Sequence, residues 1–231
     1  MEKNEINKLK ENSFLLPSIS GLFVGILLLS NILSSKMVYL YGFSFDGGTF
    51  LFPLSYIFGD VLTEVYGYKA SRRVIWTGFV MLCIMSLNIY LVSALPPHAE
   101  WSFQKDFDNV LLQMPRLAIA SLLGYFLGEY VNSAILSKMK VIMKGSHLWM
   151  RTIGSTLVGE FLDSFIFVLI AFSGLYNTST LISIIVSNYL FKTLIEILFT
   201  PITYKVISFV KRKENIDVYD YNVKYNPLLG T

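Results

Sequence analysis

The chain has 231 residues, of which 54% are hydrophobic and only 15% charged, with a net charge of +3. An average soluble domain carries about 25% charged residues, so a water-exposed surface of this size is excluded and a membrane class follows. The small net charge gives no basis for a nucleic-acid partner, and the single cysteine, Cys83, rules out an internal disulfide, a cysteine-held zinc or an iron–sulfur centre.

Crossing the hydrocarbon takes about 20 apolar residues. The leader, residues 1–13, is polar and of mixed charge. The apolar run behind it is longer than a signal-peptide core and lacks a small-x-small cleavage site, so it reads as a retained span. Spans are predicted over about 14–33, 49–65 and 74–95; a polar connector, 96–113, follows. Three more are predicted over about 114–136, 149–175 and 181–210, the last long enough to tilt or to break near Pro201. The expected fold class is therefore all-α: a six-helix membrane domain over 14–210 with a polar tail over 211–231. Basic residues cluster in the leader (Lys3, Lys8, Lys10), in the second loop (Lys69, Arg72, Arg73), in the fourth (Lys138, Lys140, Lys144) and in the tail (Lys211, Arg212, Lys213). The other side holds Lys36 and Lys105, with Arg116 at the mouth of the fourth span. The positive-inside rule then puts both termini in the cytoplasm of a multi-pass cell-membrane protein, which an even number of spans satisfies.

Gly59-Asp60-Val61-Leu62-Thr63-Glu64 in the second span echoes Gly159-Glu160-Phe161-Leu162-Asp163-Ser164 in the fifth. Each is the second span of its half, the arrangement of a 3+3 inverted repeat, although chance gives a six-residue likeness as readily.

Several spans carry charge. Residues three and four apart share a helix face, so Pro53, Tyr56, Asp60, Glu64 and Gly67 form one stripe, and Asn188, Lys192 and Glu196 another. Glu160 and Asp163 lie within one turn, and Arg116, Ala120, Gly124, Gly128 and Asn132 line a face of the fourth span. Such groups must point at protein or water rather than lipid. They can simply pair across helices, but the carboxylates outnumber the one deep base, Lys192, which suits a cationic or hydrogen-bond-donating solute, or protons. Gly21/Gly25 and Gly124/Gly128 are spaced for close helix packing. No HExxH, GxSxG, P-loop or CxxC motif is present, so no ATPase lies in this chain. An intramembrane aspartyl hydrolase built on Asp60 and Asp163 is the alternative of a different class; Gly59-Asp60 supplies half of a Gly-x-Gly-Asp signature, with Ile57 at the first glycine position.

The segment Asn31–Phe79 resembles the queuosine-precursor transporter family, small six-span proteins related in plan to vitamin-uptake components. The residues that carry the likeness run Pro53-x-x-Tyr56-x-x-x-Asp60-x-x-x-Glu64-x-Tyr66-Gly67, ahead of Arg72. Arg116, Trp149-x-Arg151, Asp163 and Lys192-x-x-x-Glu196 before Pro201 extend it over roughly 14–210. The resemblance implies a transporter rather than an enzyme, without cofactor or metal, that imports a 7-deazaguanine base such as queuine for tRNA modification. On it, Asp60 and Glu64 would accept N–H donors or a cation, Lys192 or Asn31 would meet a carbonyl, and Tyr56 would stack on the ring. Glu196, Asp163 and Arg116 would form a second line, for coupling or gating. It leaves open a homo-oligomer, and a substrate-binding subunit served by a separate ATPase module.

Overall fold

The computed structural model describes residues 13–41, 43–112 and 114–221. Helix α1 (Leu16–Leu33) is followed by a hairpin of β1 (Met37–Leu40) and β2 (Phe43–Asp46), then by one turn of 3-10 helix, Gly47–Phe50. Helices α2 (Phe52–Tyr66), α3 (Tyr68–Ser93), α4 (Gln104–Leu111), α5 (Met114–Ile142), α6 (Leu148–Phe172) and α7 (Thr178–Glu214) complete the order. Pro17 and Pro53 sit in the first turns of α1 and α2, where a missing N–H costs nothing. The side chain of Asn177 caps α7 by accepting from the Thr180 amide at 2.8 Å.

Polarity is inverted relative to a soluble protein. Large apolar side chains such as Leu22, Leu87, Leu194 and Leu198 are exposed, while Asp60, Glu129, Arg151, Glu160 and Lys192 are buried. That is the arrangement a hydrocarbon solvent imposes. Five stretches are long and apolar enough to cross a membrane: α1, α3, the α4–α5 stretch, α6 and α7. The sixth expected span falls on α2, whose 15 residues rise only about 22 Å, against about 30 Å of hydrocarbon. Helix α2 is instead enclosed by protein, packing against α1, α3, α5 and α7, with Ser55, Tyr56, Asp60, Val61 and Leu62 all buried.

Three local features depart from the sequence expectation. The first loop contains the β1–β2 hairpin, in register from Met37↔Asp46 to Leu40↔Phe43. Its Phe45 ring stacks on Phe191 of α7, with centroids 5.3 Å apart. The polar connector contains α4, tied to the end of α3 through Gln104, which donates to the Ser93 carbonyl at 3.2 Å. Finally, α7 runs through Pro201 as one helix.

Helices α5 and α6 touch backbone to backbone. A Cβ on Gly128 would lie 2.7 Å from the Gly159 carbonyl oxygen, and one on Gly159 would lie 2.8 Å from that of Gly128. The packing role expected of Gly124/Gly128 is thus met, but nothing lies within 4 Å of a Cβ built on Gly21 or Gly25. Gly67 separates α2 from α3 at φ 83°, a conformation glycine adopts without penalty.

Candidate functional site

Because α2 is short and central, its polar stripe meets α5, α6 and α7 inside the bundle. Lys192 Nζ on α7 donates to Asp163 Oδ2 on α6 at 2.6 Å and lies 3.7 Å from Glu160 Oε2. Asn132 Nδ2 on α5 donates to Asp60 Oδ1 at 3.1 Å. Glu129, three residues earlier on α5, accepts from Ser133 Oγ at 3.3 Å. A Cβ on Gly59 would collide with the Glu129 carboxyl group, so glycine there admits this second acid beside Asp60. Glu196 completes the set from α7 and interacts electrostatically with Asp60 and Glu160. Asp60, Glu129, Glu160 and Glu196 all have 0% relative exposure. The rings of Tyr56 and Tyr125 stand perpendicular beside them, with centroids 6.1 Å apart.

Part of this donor and acceptor capacity is unused within the described protein. Both carboxyl oxygens of Glu196, both amide atoms of Asn188, Asp60 Oδ2, Asn132 Oδ1 and Asp163 Oδ1 are buried without a hydrogen-bond partner. Buried polar groups are normally satisfied, so these orphans, drawn from four helices, leave donor and acceptor capacity open to a polar guest.

Two layers close the cluster along α2. Before the helix, Asp46 accepts from Ser34 Oγ at 2.6 Å and Thr49 Oγ1 at 3.0 Å, within electrostatic reach of Lys192. At the other end, Glu64 is held by a bidentate pair from Arg151 and by Lys211 Nζ at 2.8 Å, with Lys140 Nζ 3.6 Å away. The last turn of α2 must also satisfy its carbonyls. Lys140 Nζ donates to the Glu64 carbonyl at 2.6 Å, and the Val218 amide to the Val65 carbonyl at 3.1 Å. Lys140 and Lys211 both reach Asp217, at 2.6 and 2.9 Å. Burial pushes the Asp217 carboxyl up, but these two lysines outweigh it and hold the group below the usual aspartate range. Asp220 accepts from the Tyr68 amide at 2.8 Å and Ser137 Oγ at 2.6 Å. Residues 216–220 are therefore stitched across one end of the bundle, where the sequence suggested only a polar tail.

Of the residues singled out from the sequence, the structure gathers Tyr56, Asp60, Asp163, Lys192 and Glu196. It puts Glu64 in the ionic layer next to them. Asn31 is buried within α1, its amide donating to the Leu27 carbonyl at 3.3 Å. Arg116 is exposed; it donates to the Ile170 carbonyl at 2.8 Å and to that of Ser173, capping the end of α6. Sequence reasoning left out Glu129 and read Lys140 as a loop charge. A lone carboxylate inside an apolar run was the signal for Glu129. Lys140 was misplaced because α5 runs on to Ile142, six residues past the expected end.

A multi-pass bundle with an apolar exterior and an ionised, partly unsatisfied interior belongs to the class of membrane transporters. Comparison with known proteins agrees. Residues 46–206 match the family described as "Putative vitamin uptake transporter", and the chain belongs to that family. It is 28% identical over 198 residues to the "Probable queuosine precursor transporter" of Bacillus subtilis, covering 84% of this chain and 86% of the relative. It is 26% identical over 196 residues to the "Queuosine precursor transporter" of Escherichia coli, again covering 84% and 86%. A Haemophilus influenzae relative, also a "Probable queuosine precursor transporter", is 25% identical over 177 residues, covering 74% and 73%. No solved structure matches. The protein is a transporter of the membrane, not an enzyme, and the intramembrane-hydrolase alternative is set aside.

Proposed function

We propose that this chain imports a 7-deazaguanine precursor of queuosine, such as queuine, for use in tRNA modification. The observation that carries the reading is the set of orphaned acceptors and amides at Asp60, Asn188 and Glu196, packed beside the Lys192–Asp163 pair. A guanine-like edge presents adjacent N–H donors and a carbonyl, and an aminomethyl substituent is cationic. Asp60 and Glu196 would accept from the edge or the cation, and Lys192 or Asn188 would donate to the carbonyl. Tyr56 would lie against the ring plane. The names of the three relatives support the substrate class.

On this reading, α2 and the 3-10 turn before it together make the second of six spans. At about 2.0 Å per residue, four 3-10 residues add roughly 8 Å to the 22 Å of α2, which reaches across the hydrocarbon. Basic residues at the Glu64 end put that end, the leader 1–13 and the tail 211–231 in the cytoplasm. Glu64 then serves closure rather than recognition, because Arg151, Lys140 and Lys211 already occupy its oxygens.

The test is uptake of radiolabelled queuine by bacteria that lack a carrier of their own and express this protein. Uptake above a vector control, competed better by unlabelled queuine than by guanine, is expected. Asp60→Asn and Glu196→Gln should each lower it at least tenfold at equal membrane abundance. Full uptake by the double variant would remove the assignment.

A further inference from the structure

We propose that Glu129 is a proton-binding site that couples transport to the transmembrane proton gradient, with Asp60 and Glu196 as its electrostatic partners. This rests on the transporter reading but not on the identity of the substrate. Within the bundle, Lys192 pairs with Asp163 and lies near Glu160, one cation against two acids, and three cations converge on Glu64. Asp60, Glu129 and Glu196 form no ion pair among the described residues, yet all three are buried. A bare carboxylate in such a place must take up a proton or a bound cation. No group of three acidic, histidine or cysteine side chains among the described residues is arranged to hold a metal ion.

Glu129 is the member placed for protons. Around it stand Asp60 from α2, Glu160 from α6 and Glu196 from α7, with Tyr125 and Ser133 of its own helix. These carboxylates would repel a second negative charge, so gain or loss of one proton at Glu129 is felt across three helices. Among the described residues its Oε2 is buried without a partner, and Oε1 has only the Ser133 hydroxyl. That hydroxyl is itself in a chain: Thr63 Oγ1 donates to Ser133 Oγ at 3.0 Å, and Ser71 Oγ lies 3.1 Å from it. Ser137 follows one turn later on the same face of α5 and donates to Asp220 at the stitched end. Buried hydroxyls one helical turn apart, on Ser133 and Ser137, thus stand between Glu129 and that end, in a space that suits a proton and not a bulky solute. Hydroxyls both donate and accept, so such a series can pass a proton without net movement of the groups. The chemistry balances simply: the carboxylate binds one proton from one side, is neutral while the bundle rearranges, and releases it to the other.

Two measurements test this. The first needs no substrate: infrared difference spectra of the purified protein across a pH titration. A component of the protonated-carboxyl carbonyl stretch should be present in the wild type and missing in Glu129→Gln, with Glu129→Asp restoring it at a shifted frequency. An unchanged band in Glu129→Gln overturns the proposal. The second uses liposomes containing the protein and labelled queuine. An acidic exterior should raise accumulation at least fivefold, and a protonophore should cancel the rise. In Glu129→Gln, whatever queuine exchange remains should be the same with and without the gradient. Accumulation driven by sodium alone, or Glu129→Gln responding like the wild type, overturns the proposal. If the wild type does not exchange queuine yet shows the Glu129-dependent band, the substrate reading fails and the proton site stands.

Discussion

Glu64 shows how far a single residue's role depends on its neighbours. From the sequence it is one of two acids in the P-x-x-Y-x-x-x-D-x-x-x-E-x-Y-G stripe, equivalent in kind to Asp60. In the fold the two have opposite surroundings: Asp60 has a single amide donor, whereas Glu64 has two lysines and an arginine. Removing one partner of a buried ion pair strands the other, at a cost of about 3–5 kcal/mol. Glu64→Gln should therefore lower the thermal unfolding midpoint of the detergent-solubilised protein sharply, whereas Asp60→Asn should leave it within a few degrees; a fluorescence-detected melt distinguishes them. What the sequence revealed here was the depth of these acids, because an ionisable group within an apolar run is conspicuous. Which partner each acid meets was not legible, since Arg151, Lys140 and Lys211 come from 87, 76 and 147 residues away in the chain.

At the scale of elements, the long helices were legible because length and hydrophobicity alone define them. The hairpin was not: Met37–Leu40 and Phe43–Asp46 are four residues each, and Phe45 seats on Phe191, a contact no local pattern encodes. The α5–α6 interface lies between these cases. Gly124 and Gly128 announced a close approach, but the partner, Gly159 with the Asp163 backbone, emerges only in three dimensions. That contact sets how near Asn132 and Glu129 come to Glu160 and Asp163. Gly128→Leu would put a side chain against a backbone carbonyl that cannot move aside. Overpacking of this kind costs about 1–3 kcal/mol, and the larger effect should be on the site: queuine binding, measured by scintillation proximity on purified protein, should fall at least tenfold, with Gly154→Leu as a milder control because only the flexible Met139 side chain lies near a Cβ there.

For the whole molecule, the polar cluster has a layer at each end of α2: Asp46 with its hydroxyl donors on one, the Glu64 network on the other. Their compositions differ. The Asp46 layer is held by hydroxyls and stacked rings, the Glu64 layer by ion pairs and by residues 216–220. The second layer should respond more to ionic strength. Ending the chain after Glu214 would take away Asp217, the Val218 amide and Asp220 at once, leaving the Val65 carbonyl, the Tyr68 amide and the two lysines short of partners. That variant should still insert but melt earlier, and protease should cut the loop at Gly145 and Ser146, whose carbonyls Arg151 holds, faster than in the full chain.

The stitched segment also imposes an order on biosynthesis. A ribosome delivers Glu64 to the bilayer long before it reaches Lys211, and Asp217 emerges later still. Until then the nascent bundle holds an acid and two early bases, Lys140 and Arg151, with an incomplete set of counter-charges. Lys211, 147 residues later in the chain, completes the charge set around Glu64, so this end of the molecule can mature only once α7 and residues 216–220 have been made.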